Sequence, residues 1–436
     1  MLGMLCALVG SSTWILAASS FGIPVSTTHA IVGALVGIGI ASFGSNTVNW
    51  SGLVKIVLSW IISPAVASSI SAIIFLITKY AVLVHEDSLR RALIAIPFYF
   101  GITIFINCFY IVFKGAPGLK LESLPIGTIL GISFGVAGGV FLFTFFFLRP
   151  YLRRTIQDEE NIRWYHCFVI PFISYRPPKQ VEEESLHENN GNATSTASIE
   201  EGVDAPPEKE DIVHEEVSFP KKDSIAKRIK DKLMAGVRTD IKATGGEKVA
   251  AMHELTRKFD SQTEAVYSVL QVMTAFFASF AHGSNDVANA VGPLSTIYYV
   301  WDNGNANLSG KTPIPLWVLG FGGAMIDIGL ITYGHHVMAT LGNKVTYMSP
   351  TRGFSAELGT SLTVLTCSKL GLPVSTTHCI TGAVAAIGLC QRRGYKTVNW
   401  RALGMTAISW IITLPAAGLV AGLLFAFVSR SPHLTL

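Results

Sequence analysis

The chain has 436 residues, of which half are hydrophobic and only 14% charged, with a formal net charge of +4 and a mean hydropathy of +0.45. Soluble proteins carry about 25% charged residues, so an ordinary soluble protein is excluded. Because 21 of the 29 acids lie between residues 150 and 260, the composition indicates a polytopic membrane protein with one polar insert. The small excess of basic residues is typical of membrane proteins, in which Lys and Arg lie at helix ends, so no nucleic-acid partner is needed to explain it.

Long apolar runs recur along the chain and predict the membrane spans, because a helix needs about 20 apolar residues to cross a bilayer. In chain order the candidate spans are residues 2–20, 53–84, 92–113, 126–148, 265–281, 316–334, 354–369 and 402–428. The sequence therefore predicts an all-α polytopic membrane protein.

Two further apolar segments, residues 30–43 and 379–389, are too short for an easy crossing. Each follows a proline and contains several glycines. Apolar segments of about 10–14 residues are typical of re-entrant or broken helices. In transporters, paired segments of this kind in matching positions of the two halves indicate the binding site.

Both short segments follow the same six residues, PVSTTH, which occur at residues 24–29 and again at residues 373–378. The likeness continues beyond the motif, since TVNW occurs at residues 47–50 and again at residues 397–400. A duplicated apolar unit with a hydroxyl cluster is what a transporter needs to hold a polar solute between two halves. We therefore predict two membrane repeats, residues 1–149 and 263–436.

Residues 150–262, between the two repeats, form a polar loop. The acidic segment 180–216 has too few apolar residues for a core and is predicted to be disordered. In residues 221–233, apolar residues recur every four positions among six basic ones, which fits either a basic amphipathic helix on the membrane surface or a solvated helix.

The distribution of Arg and Lys predicts the orientation of the repeats. Arg149, Arg153 and Arg154 place the start of the polar loop in the cytosol by the positive-inside rule. Counting spans backwards places the uncharged turn 44–50 outside, whereas the matching turn 391–401 has four basic residues and should lie inside. Equivalent turns then face opposite sides, so the sequence predicts inverted repeats.

Three acids fall within or beside the predicted spans, namely Asp286, Asp327 and Glu357, and a carboxylate at membrane depth indicates a functional site. Asp286 follows Gly283, which we expect to break the helix and free carbonyl groups. With Asn285 and Asn289, Asp286 would supply hard oxygen ligands for Na⁺. The alternative is a buried structural Asp satisfied by neighbouring Asn side chains. Asp327 lies in a glycine-rich run and would cap a helix or line a cavity.

The Ser-Thr-Thr triplets follow a proline and begin a short helix, where hydroxyl groups adjoin free backbone N–H groups and the positive end of the helix dipole. This arrangement binds anions such as phosphate. A Ser or Thr at a helix start is ordinarily only an N-cap, but two copies in inverted halves favour an anion site. His29 and His378 would contact a helix end or the anion, or serve the structure alone.

Three motifs in this order, the PVSTTH pair, HGSNDVANA at residues 282–290 and GFSAELGTS at residues 353–361, resemble the inorganic phosphate transporter family, in particular the sodium-dependent phosphate symporters of eukaryotes. The resemblance implies electrochemically driven phosphate uptake. It implies phosphate binding by Ser26, Thr27, Thr28, Ser375, Thr376 and Thr377, and sodium binding by Asn285, Asp286, Asn289 and Glu357. Family members have an Asn-Asp motif in both halves. Only 23 residues precede Pro24 here, so we expect the first repeat to be amino-terminally incomplete.

The favoured function is therefore sodium-coupled symport of inorganic phosphate, with Na⁺ bound at Asp286 and no resident cofactor. Proton coupling is the alternative within transporters, because carboxylates serve both ions. Two other classes are less favoured. An anion channel would have a positive pore lining, whereas the charges at membrane depth here are acidic. A receptor would have a signalling domain in the polar loop, where none is recognisable. No catalytic constellation indicates an enzyme. The expected location is the plasma membrane, with the lipid bilayer as partner, and a homodimer is compatible with the sequence.

Overall fold

The computed structural model describes residues 1–114, 124–175, 246–305 and 312–430, and throughout these ranges the regular structure is helical without a strand. In chain order the α-helices are α1 (Leu2–Ser20), α2 (Thr27–Phe43), α3 (Trp50–Thr78), α4 (Ser88–Lys114), α5 (Ile126–Phe143), α6 (Arg149–Leu152), α7 (Glu247–Glu254), α8 (Ser261–Asn303), α9 (Leu316–Ala339), α10 (Pro350–Lys369), α11 (Thr376–Leu389) and α12 (Trp400–Arg430). The all-α prediction is confirmed. The predictions for segments 180–216 and 221–233 lie outside the described residues.

Seven of the described helices are long and apolar enough to cross a membrane. They are α1, α3 with its extension to Leu83, α4, α5 with its extension to Gln157, α8, α9 and α12. The one remaining predicted span, residues 354–369, corresponds to α10, which is not among the seven. Arg352, Glu357 and Lys369 lower its hydropathy, and most of its first sixteen residues are buried against other helices.

The two PVSTTH copies begin their helices in the same way. Ser26 and Ser375 are the N-caps of α2 and α11, and each side chain accepts a hydrogen bond from the backbone N–H three residues later. The long helices that follow also begin alike, because Asn49 caps α3 and Asn399 caps α12. Side-chain oxygens of Ser and Asn satisfy the N–H groups that a helix start leaves free.

Each short helix packs mainly against the long helix that follows the other PVSTTH copy, so α2 lies on α12 and α11 lies on α3. On α2, Gly33 and Gly37 lie directly against the backbone of α12 at Leu414 and Gly418, where a Cβ atom would collide. Small residues of this kind allow membrane helices to approach at backbone distance. The two copies are therefore interlocked.

One helix prediction is wrong: Gly283 does not break the chain, and α8 runs without interruption from Ser261 to Asn303. A glycine inside a helix keeps its N–H group and costs only about 1 kcal/mol relative to alanine, which the neighbouring turns and packing can supply. The expected free carbonyl groups at Gly283 are consequently absent, and the residues after it present their side chains from an intact helix.

Candidate functional site

The two PVSTTH copies meet through their histidines. The ring centroids of His29 and His378 lie 4.6 Å apart, and both residues are 1% exposed. His29 stacks on Trp60 of α3 at 3.9 Å, and His378 stacks on Trp410 of α12 at 3.6 Å. The starts of α2 and α11 thus lie beside each other through two stacked His–Trp pairs, whose histidine rings meet at an interplanar angle of 59°.

Asp286 lies on α8 beside these helix starts and is 9% exposed. Its Oδ2 atom accepts a hydrogen bond from Thr376 Oγ1 at 2.6 Å and lies 2.6 Å from His282 Nε2. Its Oδ1 atom accepts from the side-chain amides of Asn285 at 2.9 Å and Asn289 at 3.3 Å. The four partners hold the carboxylate in one orientation, and three of them come from the same face of α8.

Asn289 links this carboxylate to the first PVSTTH copy. Its Nδ2 atom donates to the hydroxyl oxygens of both Thr27 and Thr28 at 3.1 Å. Asn285 makes the corresponding link to the second copy, since its Nδ2 atom also donates to the carbonyl oxygen of Val374 at 3.1 Å. One turn of α8 therefore joins both helix starts through side-chain amides.

The hydroxyl groups of the triplets differ in the partners that they already have. Thr376 donates to Asp286, and Thr377 donates to the carbonyl oxygen of Val25 at 3.3 Å. Thr27 and Thr28 accept from Asn289, so their hydroxyl hydrogens remain available for a further acceptor.

The hydroxyls of Ser26 and Ser375 are more deeply placed than those of the threonines. They are 2% and 3% exposed and serve as N-caps of α2 and α11. Ser375 Oγ also lies 2.7 Å from His378 Nδ1. Their side chains therefore fix the helix starts, whereas the hydroxyls of Thr27, Thr28 and Thr376 contact α8.

Electrostatically, the site has one carboxylate, and three of the four atoms that contact it are nitrogens, namely Nε2 of His282 and Nδ2 of Asn285 and Asn289. Within the described residues, no Lys or Arg side chain hydrogen-bonds to Asp286, Asn289 or the triplets. Carboxylate, amide, hydroxyl and carbonyl oxygens are ligands that small hard cations prefer. The free hydroxyl hydrogens and the two helix N-termini suit an anion. The residues gathered here thus include ligand types for both charges.

Glu357 is not part of this network. Its carboxylate accepts from Thr274 Oγ1 at 2.6 Å and from Gln271 Nε2 at 3.4 Å, both on α8. Thr274 precedes Asp286 by twelve positions, which corresponds to about 18 Å along a helix. Asp327 is separate as well, because it lies exposed on α9 and makes no hydrogen bond within the described part of the chain.

The sequence indicated His282 only as part of its motif and not through its contact with Asp286. The available signal was the four-residue spacing, which places two side chains on one face of a helix. Gln271 and Thr274, the partners of Glu357, were also missed. They are 86 and 83 residues from Glu357 in the chain, respectively, and nothing in the sequence pairs them with it.

The chain is similar to known phosphate transporters over most of its length. The model of the phosphate transporter family matches residues 1–421. The phosphate-repressible phosphate permease pho-4 of Neurospora crassa is 34% identical, and the match covers 99% of this chain and 84% of that protein. Sodium-dependent phosphate transporter 2 of Homo sapiens is 28% identical, with 98% and 85% covered. A solved structure of a sodium-dependent phosphate transporter has a TM-score of 0.65 and 27% identity, with 99% and 80% covered.

Proposed function

Because this chain belongs to the phosphate transporter family, we propose that it moves inorganic phosphate across a membrane by symport with sodium. The observation that carries the proposal is the convergence of Asp286 with hydroxyl groups from both PVSTTH copies, through Thr376 directly and through Asn289 to Thr27 and Thr28. Sodium-dependent phosphate transporters among the relatives support the choice of coupling ion.

The proposed phosphate site lies between the starts of α2 and α11. Thr27 and Thr28 have free hydroxyl hydrogens to donate, and Thr376 and Thr377 complete the set from the other copy once an anion competes for their present acceptors. Ser26 and Ser375 cap the two helices, and we assign them to the site chiefly as the residues that hold the N-termini towards the anion.

Sodium has a clear physical role in this arrangement. A phosphate held by these hydroxyls would lie beside the carboxylate of Asp286. Two like unit charges about 4 Å apart repel by about 4 kcal/mol at an effective dielectric constant of about 20. A cation bound by Asp286, Asn285 and Asn289 would turn this repulsion into attraction. Phosphate binding would then depend on prior or simultaneous sodium binding, which is what a symporter requires.

Glu357 would belong to a separate sodium site, because its partners lie far along α8 from Asp286.

We further propose that the repeats are inverted, that the transporter resides in the plasma membrane and that residues 150–262 face the cytosol. The matching caps and stacked His–Trp pairs support two related units. The basic residues of turn 391–401 support a cytosolic location for that turn by the positive-inside rule. A homodimer remains compatible with this arrangement.

Proton coupling is the second candidate, and one observation favours it. His282 Nε2 lies 2.6 Å from Asp286 Oδ2, so an imidazole adjoins the carboxylate that would otherwise bind sodium. Histidine exchanges protons near neutral pH more readily than other side chains. In that case a proton on this pair would replace sodium in offsetting the charge of phosphate.

Uptake of radiolabelled phosphate into proteoliposomes separates the two candidates. An inward sodium gradient at equal pH on both sides should drive uptake, and replacement of sodium by choline should abolish it. A pH gradient, acidic outside, should drive little uptake without sodium. Uptake driven equally well by the pH gradient in choline would overturn sodium coupling, and the absence of uptake under every gradient would overturn phosphate symport.

A further inference from the structure

The far ends of α2 and α11 have related sequences but very different surroundings. We define the α2 end as residues 40–48 and the α11 end as residues 388–398, which include the matching TV pairs of the duplicated sequence. Val398 is 4% exposed and Thr397 is fully buried. In the α2 end, Phe43 is 79% exposed and Thr47 is also exposed. Thr397 and Val398 are therefore more enclosed than Thr47 and Val48 at the matching positions.

A lysine from the end of α3 binds the last turn of α11. Lys79 Nζ donates to the carbonyl oxygen of Cys390, the C-cap of α11, at 2.7 Å. Carbonyl groups at a helix C-terminus lack intrahelical partners and carry the negative end of the dipole, so a cation is favourable there. No carboxylate within the described residues lies in ion-pair distance of Lys79, so this carbonyl group is its principal partner.

An arginine from the start of α10 supports the next residue. Arg352 is 1% exposed, and its guanidinium group donates to Gln391 Oε1 at 3.4 Å and to the carbonyl oxygen of Arg257 at 2.7 Å. The group also lies between aromatic rings, with the centroid of Tyr347 at 5.1 Å and that of Phe259 at 5.4 Å. A buried guanidinium surrounded in this way is a fixed support for the α11 end.

A third segment, just before α10, completes the enclosure. Thr346 Oγ1 donates to the carbonyl oxygen of Thr397 at 2.7 Å, and Asn399 N donates to the carbonyl oxygen of Val345 at 2.9 Å. By contrast, the hydrogen bonds of the α2 end within the described residues are local, such as those from Thr47 to Gly44. The α11 end is thus bound by three other segments.

The helix between the enclosed end and the candidate site is short. α11 has 14 residues, which corresponds to about 21 Å. Its first residue, Thr376, donates to Asp286 at 2.6 Å, and its C-cap is bound by Lys79. A tilt or shift that freed one end would therefore move the other.

We propose that Lys79 and Arg352 are positioning residues that hold α11 in the register that places Thr376 on Asp286, and that release of the Lys79 bond opens this end during transport. This inference rests on the proposed transport function. Lys79 is half-buried and can exchange the carbonyl group of Cys390 for water, whereas Arg352 is buried and keeps its partners. During opening, Lys79 therefore releases the carbonyl group of Cys390, whereas Arg352 keeps its hydrogen bonds.

Thiol labelling of the purified full-length protein in lipid nanodiscs tests the enclosure without any transport. Val398→Cys places a reporter inside the α11 end, and Val48→Cys places one at the matching position of the α2 end. Labelling at each position is followed by peptide mass spectrometry, so the native cysteines need not be removed. Adding Lys79→Met, which keeps the apolar stem but removes the donor, should speed labelling at position 398 about tenfold or more. The rate at position 48 should not change.

Lys55→Met is the matched control, because Lys55 lies exposed on the same helix and makes no hydrogen bond within the described residues. Lys79→Arg should restore slow labelling at position 398, which a general loss of packing would not permit. If Lys79→Met does not fold, Thr346→Val removes a different bond to the same end and should also speed labelling. Unchanged labelling at position 398 in the folded variants would overturn the proposal.

Uptake measurements on the same variants connect the enclosure to transport. Lys79→Met should change the maximal rate of phosphate uptake at least threefold and should also weaken the response to sodium, because it loosens the hold that places Thr376 on Asp286. Loss of sodium dependence in the unmodified protein would count against the proposed function alone. Faster labelling with an unaltered maximal rate would retain the enclosure but overturn its part in transport.

Discussion

Replacement of Asp286 by asparagine distinguishes a sodium ligand from a buried structural acid. The carboxylate has two well-separated sets of partners, with Thr376 and His282 at Oδ2 and Asn285 and Asn289 at Oδ1. An amide oxygen can keep the bonds at the Oδ1 position. At the Oδ2 position an NH₂ group can donate to the hydroxyl oxygen of Thr376 and to a neutral imidazole of His282 in its other tautomer. We therefore expect Asp286→Asn to fold and reach the membrane.

The magnitude of the effect on ion binding follows from the lost charge. Attraction between unit charges about 4 Å apart is about 4 kcal/mol at an effective dielectric constant of about 20, and a directly coordinated cation lies closer. Part of this energy offsets the cost of removing water from the ion. A decrease of about 100-fold in sodium affinity, equivalent to about 2.7 kcal/mol, is the expected result.

Phosphate should respond with the opposite sign when sodium is absent. In the unmodified protein the carboxylate repels the anion, and in Asp286→Asn it no longer does. Binding of radiolabelled phosphate in choline should therefore be stronger in the variant than in the unmodified protein, whereas the increase caused by sodium should disappear. A merely structural acid gives neither change.

The assay combines phosphate binding to the purified protein with uptake into proteoliposomes, both over a range of sodium concentrations. Asp327→Asn is the matched control, because it removes an acid from the exposed surface of α9 outside the network. Normal sodium dependence in Asp286→Asn, with normal amounts in the membrane, would refute the reasoning.

The remaining predictions concern the hydroxyls, the polar loop and the orientation. Thr27→Val keeps the shape but removes a donor, so phosphate affinity should fall about tenfold at a cost of about 1–3 kcal/mol; Thr376→Val, which also removes a bond to Asp286, should in addition weaken the response to sodium. Unchanged affinities in uptake assays would contradict this assignment. Deletion of residues 180–216 should leave uptake per molecule in the membrane largely intact, and loss of uptake by correctly located protein would argue against a dispensable segment. An impermeant thiol reagent should reach Asn46→Cys only from outside and Gly394→Cys only from the cytosol; labelling of both from one side would rule out inverted repeats.

The sequence predicted the helical class and most helix positions because long apolar runs have few alternatives in a membrane. The first predicted span, residues 2–20, coincides with α1. The prediction failed at Gly283, and the sequence did not show that α10 is buried among other helices, for one reason. Whether a polar helix is buried or a glycine is tolerated depends on packing by distant helices, and the packing of α10 on α3 and α8 is absent from its local pattern.

The candidate site was predicted residue by residue but not as a geometry. The duplicated motif indicated Thr27 and Thr376, and the Asn-Asp pair indicated Asp286. Nothing in the sequence indicated that Asn289 forms hydrogen bonds with the first copy. The separation of Glu357 from Asp286 was equally hidden, because both lie in the second repeat. Partners brought together by tertiary packing have no local signature in a single sequence.

The interlocking of the two copies has a consequence for biosynthesis. Packing of α2 on α12 cannot begin until the chain has grown from residue 43 to beyond residue 400. At about 5–20 residues per second, this growth takes roughly 20–70 s, during which the glycine face of α2 lacks its final neighbour. The first half can therefore not mature alone in the membrane, and assembly has to wait for the last helix. Substitutions at Gly33 or Gly37 should accordingly act late, as assembly defects of a fully synthesised chain.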